Sequence, residues 1–304
     1  MQAKTYSILD ALAQTLRDLR EKRGQLREVK VAVIDSGIDA THERCAGRIC
    51  NGTENNDPAG HGTAVAGIIA ALAPNATLMD IRVLDEQGAA TGEALVAGLT
   101  AAVESDAQII NMSLVCNRRF SGDLMGLCEK AYRKGQVVIA AKRNVPLTDD
   151  LGFPAEISSC IGVESSRTTD PLKVFFTGNA PIEFAACGES VLAPRSGGGY
   201  IRLSGTSFAT PIITAAVTLF KGAFPELRPF EIKTLLKDLA QRSAPAKEPA
   251  EANPLLGCMA QPYPGNGLPL GYRTFRCKRC RAVLQCAEPF STAECPFCHT
   301  VCEL

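Results

Sequence analysis

The sequence predicts an α/β fold: a doubly wound, mainly parallel sheet with helices on both faces, followed by a small metal-stabilised C-terminal domain. Three observations predict it. Valine- and isoleucine-rich runs alternate with helical patterns from residue 29 to about 240. Those runs are apolar at successive positions, as strands covered on both faces require. Beyond 271 the chain changes character and carries cysteines in closely spaced pairs.

The strands expected are 29–34 (VKVAVI), 77–83, 108–113 (QIINMS), 136–141 and 158–163. Helical patterns lie between them near 62–73, 92–104 and 121–134. An apolar run at 207–220 reads as a buried helix. The next helix, 229–240, opens with Pro229 at its first position and sets Ile232, Leu235, Leu236 and Leu239 on one face. Ahead of the first strand, Ile8, Leu9, Leu12, Leu16 and Leu19 recur at helical spacing, with Ser7 and Asp10 placed as a capping box. The organisation expected is an amphipathic helix within 1–28, a main domain over 29–242, a linker over 243–270 and a cysteine-dense domain over 271–304. The linker assignment rests on six prolines and four glycines between 243 and 271, with no helical or strand period.

Lys+Arg and Asp+Glu stand at 32 each, so no global charge draws the chain to nucleic acid or to an anionic membrane. No apolar run approaches the roughly 20 residues that span a bilayer. The N-terminal stretch has several charges and no apolar core of the signal-peptide kind. With 13 cysteines and no export signal to read, reduced thiols and a metal site are expected, and with them a cytoplasmic location.

Three short motifs carry the chemistry. VIDSG at 33–37 offers the carboxylate of Asp35, GHGT at 60–63 the imidazole of His61, and GTSFATP at 205–211 the hydroxyl of Ser207. A serine is a weak nucleophile unless a base takes its proton, and that base needs a carboxylate to fix its tautomer. Asp35 ends a strand, and His61 and Ser207 each open a helical run. Functional groups of open α/β sheets collect at such carboxyl ends of strands, and helix N-termini add polarised N–H groups. Any one of these residues alone would be an ordinary turn or cap residue.

The order Asp, His, Ser is that of subtilisin-type enzymes and of neither other common triad order. Over about 29–240 the chain resembles the subtilisin-like serine peptidase family, through VAVIDSGID, DPAGHGTAVAGIIAA and LSGTSFATP. The resemblance implies a serine endopeptidase acting on a protein or peptide substrate. Ser207 would be the nucleophile, His61 the base and Asp35 its orienting carboxylate. GQVVIAAKRN (135–144) is similar to the family strand that ends in the oxyanion-hole asparagine, which gives Asn144 that role beside the Ser207 N–H. IINMSL (109–114) is similar to the substrate-flanking strand, making Ser113, Leu114 and Val115 substrate-binding residues. GFPAEISSCIGV (152–163) sets Gly152 at the floor of the side-chain pocket.

The departures from the family pattern are informative. Lys142 and Arg143 replace the usual alanine-glycine before the asparagine; they could shift the loop, recruit an acidic substrate or face solvent. Val115 and Cys116 replace small glycines and should crowd the pocket. The narrowed site and the appended domain suggest limited processing of a specific protein or peptide precursor. The competing reading is a catalytically weak peptidase-fold protein that binds and regulates through its C-terminal unit.

In that unit Cys277, Cys280, Cys295 and Cys298 form C-x2-C-x14-C-x2-C. Four thiolates so spaced can close a tetrahedral site, and zinc is the expected metal of this zinc-ribbon-like domain. Its role would be to dock a substrate or a partner protein; its basic residues at 272–281 read as a solvated face and not as a nucleic-acid surface. Spacing leaves any calcium site open.

Overall fold

A computed structural model describes residues 26–51, 57–144 and 151–240, apart from positions 169, 172, 179 and 180, together with the backbone of four short strands between 272 and 303. The chain divides into two compact units, Met1–Pro245 and Ala246–Leu304. The helix expected within 1–28 falls almost wholly outside the described residues, as do the expected linker and all four paired cysteines.

In the first unit, a seven-stranded sheet is built from β1 (Val29–Asp35), β2 (Ala76–Arg82), β3 (Ile109–Met112), β4 (Val137–Ala141), β5 (Ile161–Ser166), β6 (Phe175–Phe176) and β7 (Phe184–Cys187), in the order β2-β1-β3-β4-β5-β7-β6. Every pairing is parallel except β6 with β7. Five helices cover it: α1 (His61–Leu72), α2 (Gly92–Glu104), α3 (Ser121–Lys134), α4 (Thr206–Ala223) and α5 (Pro229–Ala240). A separate hairpin, β8 (Val191–Pro194) with β9 (Tyr200–Leu203), leads into α4.

Alternation along the strands sorts the core into two layers. Val29, Val31, Val33, Ile109 and Ile139 pack with α1, α4 and α5 on one face. Ala32, Ile34, Ile110, Met112, Val138 and Ala140 pack with α2 and α3 on the other. The parallel, doubly covered sheet expected from the sequence is therefore the one observed. The strand expected at 158–163 begins later, at Ile161, because 154–160 closes two successive turns through Ile157 N–H to Pro154 O and Cys160 N–H to Ile157 O.

Helix α4 is buried along almost its whole length yet carries threonines at every fourth position. Thr210, Thr214 and Thr218 each return their hydroxyl to the carbonyl one turn earlier, at 2.8, 3.0 and 2.7 Å. The Thr214 hydroxyl also lies 2.8 Å from Asn111 Oδ1, and the Asn111 amide donates to Ser113 Oγ at 3.0 Å. A polar link thus runs through the core from the helix bearing Ser207 to the segment leaving β3.

Two glycines in helices separate packing from propensity. A Cβ on Gly67 of α1 would meet Pro194 Cγ at 2.2 Å, whereas one on Gly126 of α3 meets nothing within 4 Å. Gly67→Ala is expected to destabilise by about 1–3 kcal/mol through overpacking, outweighing a helix-propensity gain of up to about 1 kcal/mol. Gly126→Ala keeps only the gain and should stabilise by about 0.5–1 kcal/mol. Denaturant unfolding of both variants beside wild type checks the opposite signs.

Candidate active site

Four segments meet at the carboxyl ends of β1, β3 and β4, which are neighbours in the sheet. Asp35 is the last residue of β1, is fully buried, and accepts the Ser36 N–H at Oδ1 over 2.8 Å. The same oxygen lies 2.7 Å from His61 Nδ1. His61 is the first residue of α1 and keeps 27% of its side chain exposed. The Nδ1 contact to a carboxylate fixes the tautomer: Nδ1 carries the proton and Nε2 the lone pair.

Each residue around His61 in the GHGT motif has a physical reason. Gly60, with φ 76°, makes the left-handed turn into α1. A Cβ at Gly62 would lie 2.1 Å from Gly37 O and 3.1 Å from Asp35 Cβ, so only glycine lets the helix end approach the strand end this closely. Thr63 is fully buried, and its hydroxyl accepts the Asp39 N–H at 2.9 Å.

Asp57, which the sequence reading did not single out, seals this junction. It is 2% exposed and accepts from Gly60 N–H (2.8 Å), Thr63 N–H (2.7 Å) and the Ser36 hydroxyl (2.7 Å). Ser36 Oγ in turn accepts the Gly62 N–H at 2.9 Å. Three donors at the start of α1 are thereby satisfied, and a carboxylate sits where the helix dipole favours it. No local capping rule marks it in the sequence, since the N-cap is Gly60 and Asp57 lies three residues outside it.

Burial of His61 disfavours its charged form, but the Asp35 charge and hydrogen bond, with the Asp57 charge behind them, outweigh it. The net result is a pKa raised above the ordinary imidazole value.

Ser207 is half-buried in the first turn of α4. Gly205 precedes that helix at φ 146°, and the ring of Phe208 packs 5.4 Å from the His61 ring. On the other side stands Asn144, just beyond β4. Its Oδ1 accepts from Thr206 N–H at 2.8 Å and from the Thr206 hydroxyl at 3.0 Å. That hydroxyl also reaches Lys142 O at 2.6 Å. With Oδ1 so engaged, the Asn144 NH2 is left as the side chain's donor. A Cβ on Gly205 would sit 3.3 Å from Asn144 Oδ1.

The remaining predicted site residues lie along the same edge. Ser113 and Leu114 are buried and Val115 is half-buried in the segment leaving β3. Cys116 N–H donates to Phe153 O at 2.7 Å, and Arg143 N–H to Leu151 O at 2.6 Å, which brings 113–116, 142–144 and 151–153 together. Gly152, at φ 106°, lies directly beneath Val115. Lys142 turns away from the mouth and pairs with Glu164 at 2.5 Å. Cys277, Cys280, Cys295 and Cys298 lie outside the described residues.

Comparison with known proteins gives the family. The subtilase family model matches residues 27–256. Subtilisin DY of Bacillus licheniformis is 34% identical over 229 residues, covering 70% of this chain and 83% of that protein. Thermitase of Thermoactinomyces vulgaris is 34% identical over 207 residues, covering 62% and 74%. An intracellular serine protease of Paenibacillus polymyxa is 34% identical over 219 residues, covering 64% and 67%. In fold, the chain is similar to the crystal structure of a cold adapted subtilisin-like serine proteinase, with a TM-score of 0.58 at 24% identity over 70% of this chain and 82% of that one. The chain belongs to the subtilase family and is a subtilisin-like serine endopeptidase.

Proposed function

We propose that this endopeptidase cuts through an Asp35-His61-Ser207 triad and acts by limited processing of a specific protein or peptide precursor. The observation that carries the triad is the 2.7 Å contact between Asp35 Oδ1 and His61 Nδ1, which leaves Nε2 as the base. His61 takes the Ser207 proton as the hydroxyl attacks the substrate carbonyl, then returns it to the leaving amine. Asp35 holds the ring and stabilises the imidazolium. The Asn144 NH2 and the Ser207 N–H donate to the developing oxyanion. Ser113, Leu114 and Val115 pair with the substrate backbone, and Gly152 underlies its side chain. Limited processing is supported by Val115 and Arg143, which occupy space that small residues would leave open.

A serine-reactive fluorophosphonate tests the assignment. Wild type should label and Ser207→Ala should not; a wild type that never labels leaves the peptidase fold as a binding module. Asn144→Ala should label and bind substrate but lose about 10²–10³-fold in kcat.

The raised His61 pKa has a worked sign. Catalysis needs neutral His61, so the acid limb of kcat/KM should lie above the ordinary imidazole value of about 6.5. Protonated His61 stabilises the fold fully below the unfolded pKa, and this contribution is lost as pH rises through the folded one. Asp57→Asn keeps an acceptor for the α1 donors but removes a charge that raises the His61 pKa. Its acid limb should move to lower pH, read from paired pH–rate profiles.

We further propose that Cys277, Cys280, Cys295 and Cys298 bind one structural zinc in the C-terminal unit, which docks a substrate or partner protein. Support comes from the backbone there: Tyr272–Arg276 pairs antiparallel with Val283–Ala287, and Thr292–Glu294 with Val301–Glu303. Each C-x2-C therefore falls between the two strands of a hairpin. Elemental analysis should find about one zinc per chain, lost in Cys277→Ser/Cys295→Ser, while Ser207 labelling persists. A cytoplasmic location fits the thiol form of Cys45, Cys50, Cys128, Cys160 and Cys187.

A further inference from the structure

We propose that Thr214 is a positioning residue: through the Asn111 amide it holds the substrate segment 113–115 in place relative to the nucleophile. This role rests on the Ser207 and Ser113–Val115 assignments above and adds what aligns the two.

The segment leaves the sheet after Met112, where β3 last pairs with β4, and Cys116 N–H fixes its far end to Phe153 O at 2.7 Å. Ser113 is 2% exposed and turned into the core, whereas Val115 is half-buried. The Ser113 hydroxyl thus anchors the segment from behind, and it accepts the Asn111 amide N–H at 3.0 Å. Left to itself, that amide could turn about its last torsion and offer Ser113 its oxygen instead. Thr214 removes this freedom. Its hydroxyl lies 2.8 Å from Asn111 Oδ1 and 3.0 Å from Thr210 O. Oδ1 is therefore the accepting end of the amide, and the NH2 faces Ser113. Asn111 and Thr214 are both fully buried, where an amide oxygen without a donor is costly.

Thr214 lies two turns after Ser207 on α4. One helix thus carries the nucleophile at its start and grips the substrate segment further along. The neighbouring threonines show the ordinary way to bury a hydroxyl. Thr210 and Thr218 are as deeply buried and return theirs to Thr206 O and Thr214 O. Of the three, only Thr214 extends its hydroxyl to another element among the described residues.

Full-length wild type, Thr214→Val, Thr214→Ser, Thr218→Val and Ser113→Ala are compared on a fluorogenic peptide that wild type cuts, at a temperature where each is folded. Fluorophosphonate labelling is followed in parallel. Thr214→Val keeps the branched shape and removes the hydroxyl. It should raise KM by about 3–10-fold, the worth of one hydrogen bond, with kcat and the labelling rate unchanged. Thr214→Ser should restore KM, and Thr218→Val should leave it as in wild type. Ser113→Ala should raise KM alike, and adding Thr214→Val to it should change nothing more. If Thr214→Val does not fold, Asn111→Ala decides in its place, because it cuts the link while Thr214 keeps Thr210 O. A labelled Thr214→Val or Asn111→Ala with the wild-type KM overturns the proposal alone. So does a KM rise that Thr214→Ser or Thr218→Val shares, or one additive with Ser113→Ala. Absence of labelling in wild type overturns the Ser207 assignment, and this proposal with it.

Discussion

The site depends on one close approach: the first turn of α1 against the end of β1. Gly62 permits it, since any side chain there would collide with the Gly37 carbonyl. Bringing a helix end onto a strand end buries backbone donors and a carboxylate together, which is costly unless every group is matched. Asp57 and Ser36 supply most of the matches, with four hydrogen bonds of 2.7–2.9 Å, while Asp35 Oδ2 is buried without one. The contact between Asp35 and His61 is a consequence of that junction. A carboxylate and an imidazole on different elements meet at 2.7 Å because the backbone beneath them has no other place to sit.

The opposite half of the site is organised by Thr206. Its N–H and hydroxyl hold the Asn144 amide oxygen, and the hydroxyl also reaches the Lys142 carbonyl. A single residue at the start of α4 thereby orients the Asn144 amide and anchors the segment after β4. The threonine ladder behind it continues through Thr214 and Asn111 to Ser113. Segments from two strands and one helix are tied by side chains, inside a core otherwise filled with aliphatic groups.

Much of this was legible in the sequence because the main strands are apolar on both faces and the helices between them are periodic. That is why β1 to β4 and α1 to α5 were readable to within three residues, and why Asp35, His61 and Ser207 stood out. The short strands β6 to β9 were not, because two to four residues bounded by Gly and Pro carry no measurable period. Asp57 escaped notice for a different reason. Its importance lies in a pairing with Ser36 across 21 positions, which only the fold brings about. The side-chain positions of Lys142 and Arg143 were likewise open: one adjacent cation pairs back onto β5 and the other crosses toward Cys116, and nothing in their sequence context distinguishes them.

The double duty of Thr206 has a dynamic consequence. The residue that precedes Ser207 is the one that holds the Asn144 amide, so the two groups share one mechanical anchor. A fluctuation that loosens the segment after β4 also unseats the first turn of α4. In the proposed mechanism, attack and charge stabilisation would then be gained or lost together, through one residue that touches neither the substrate nor the proton.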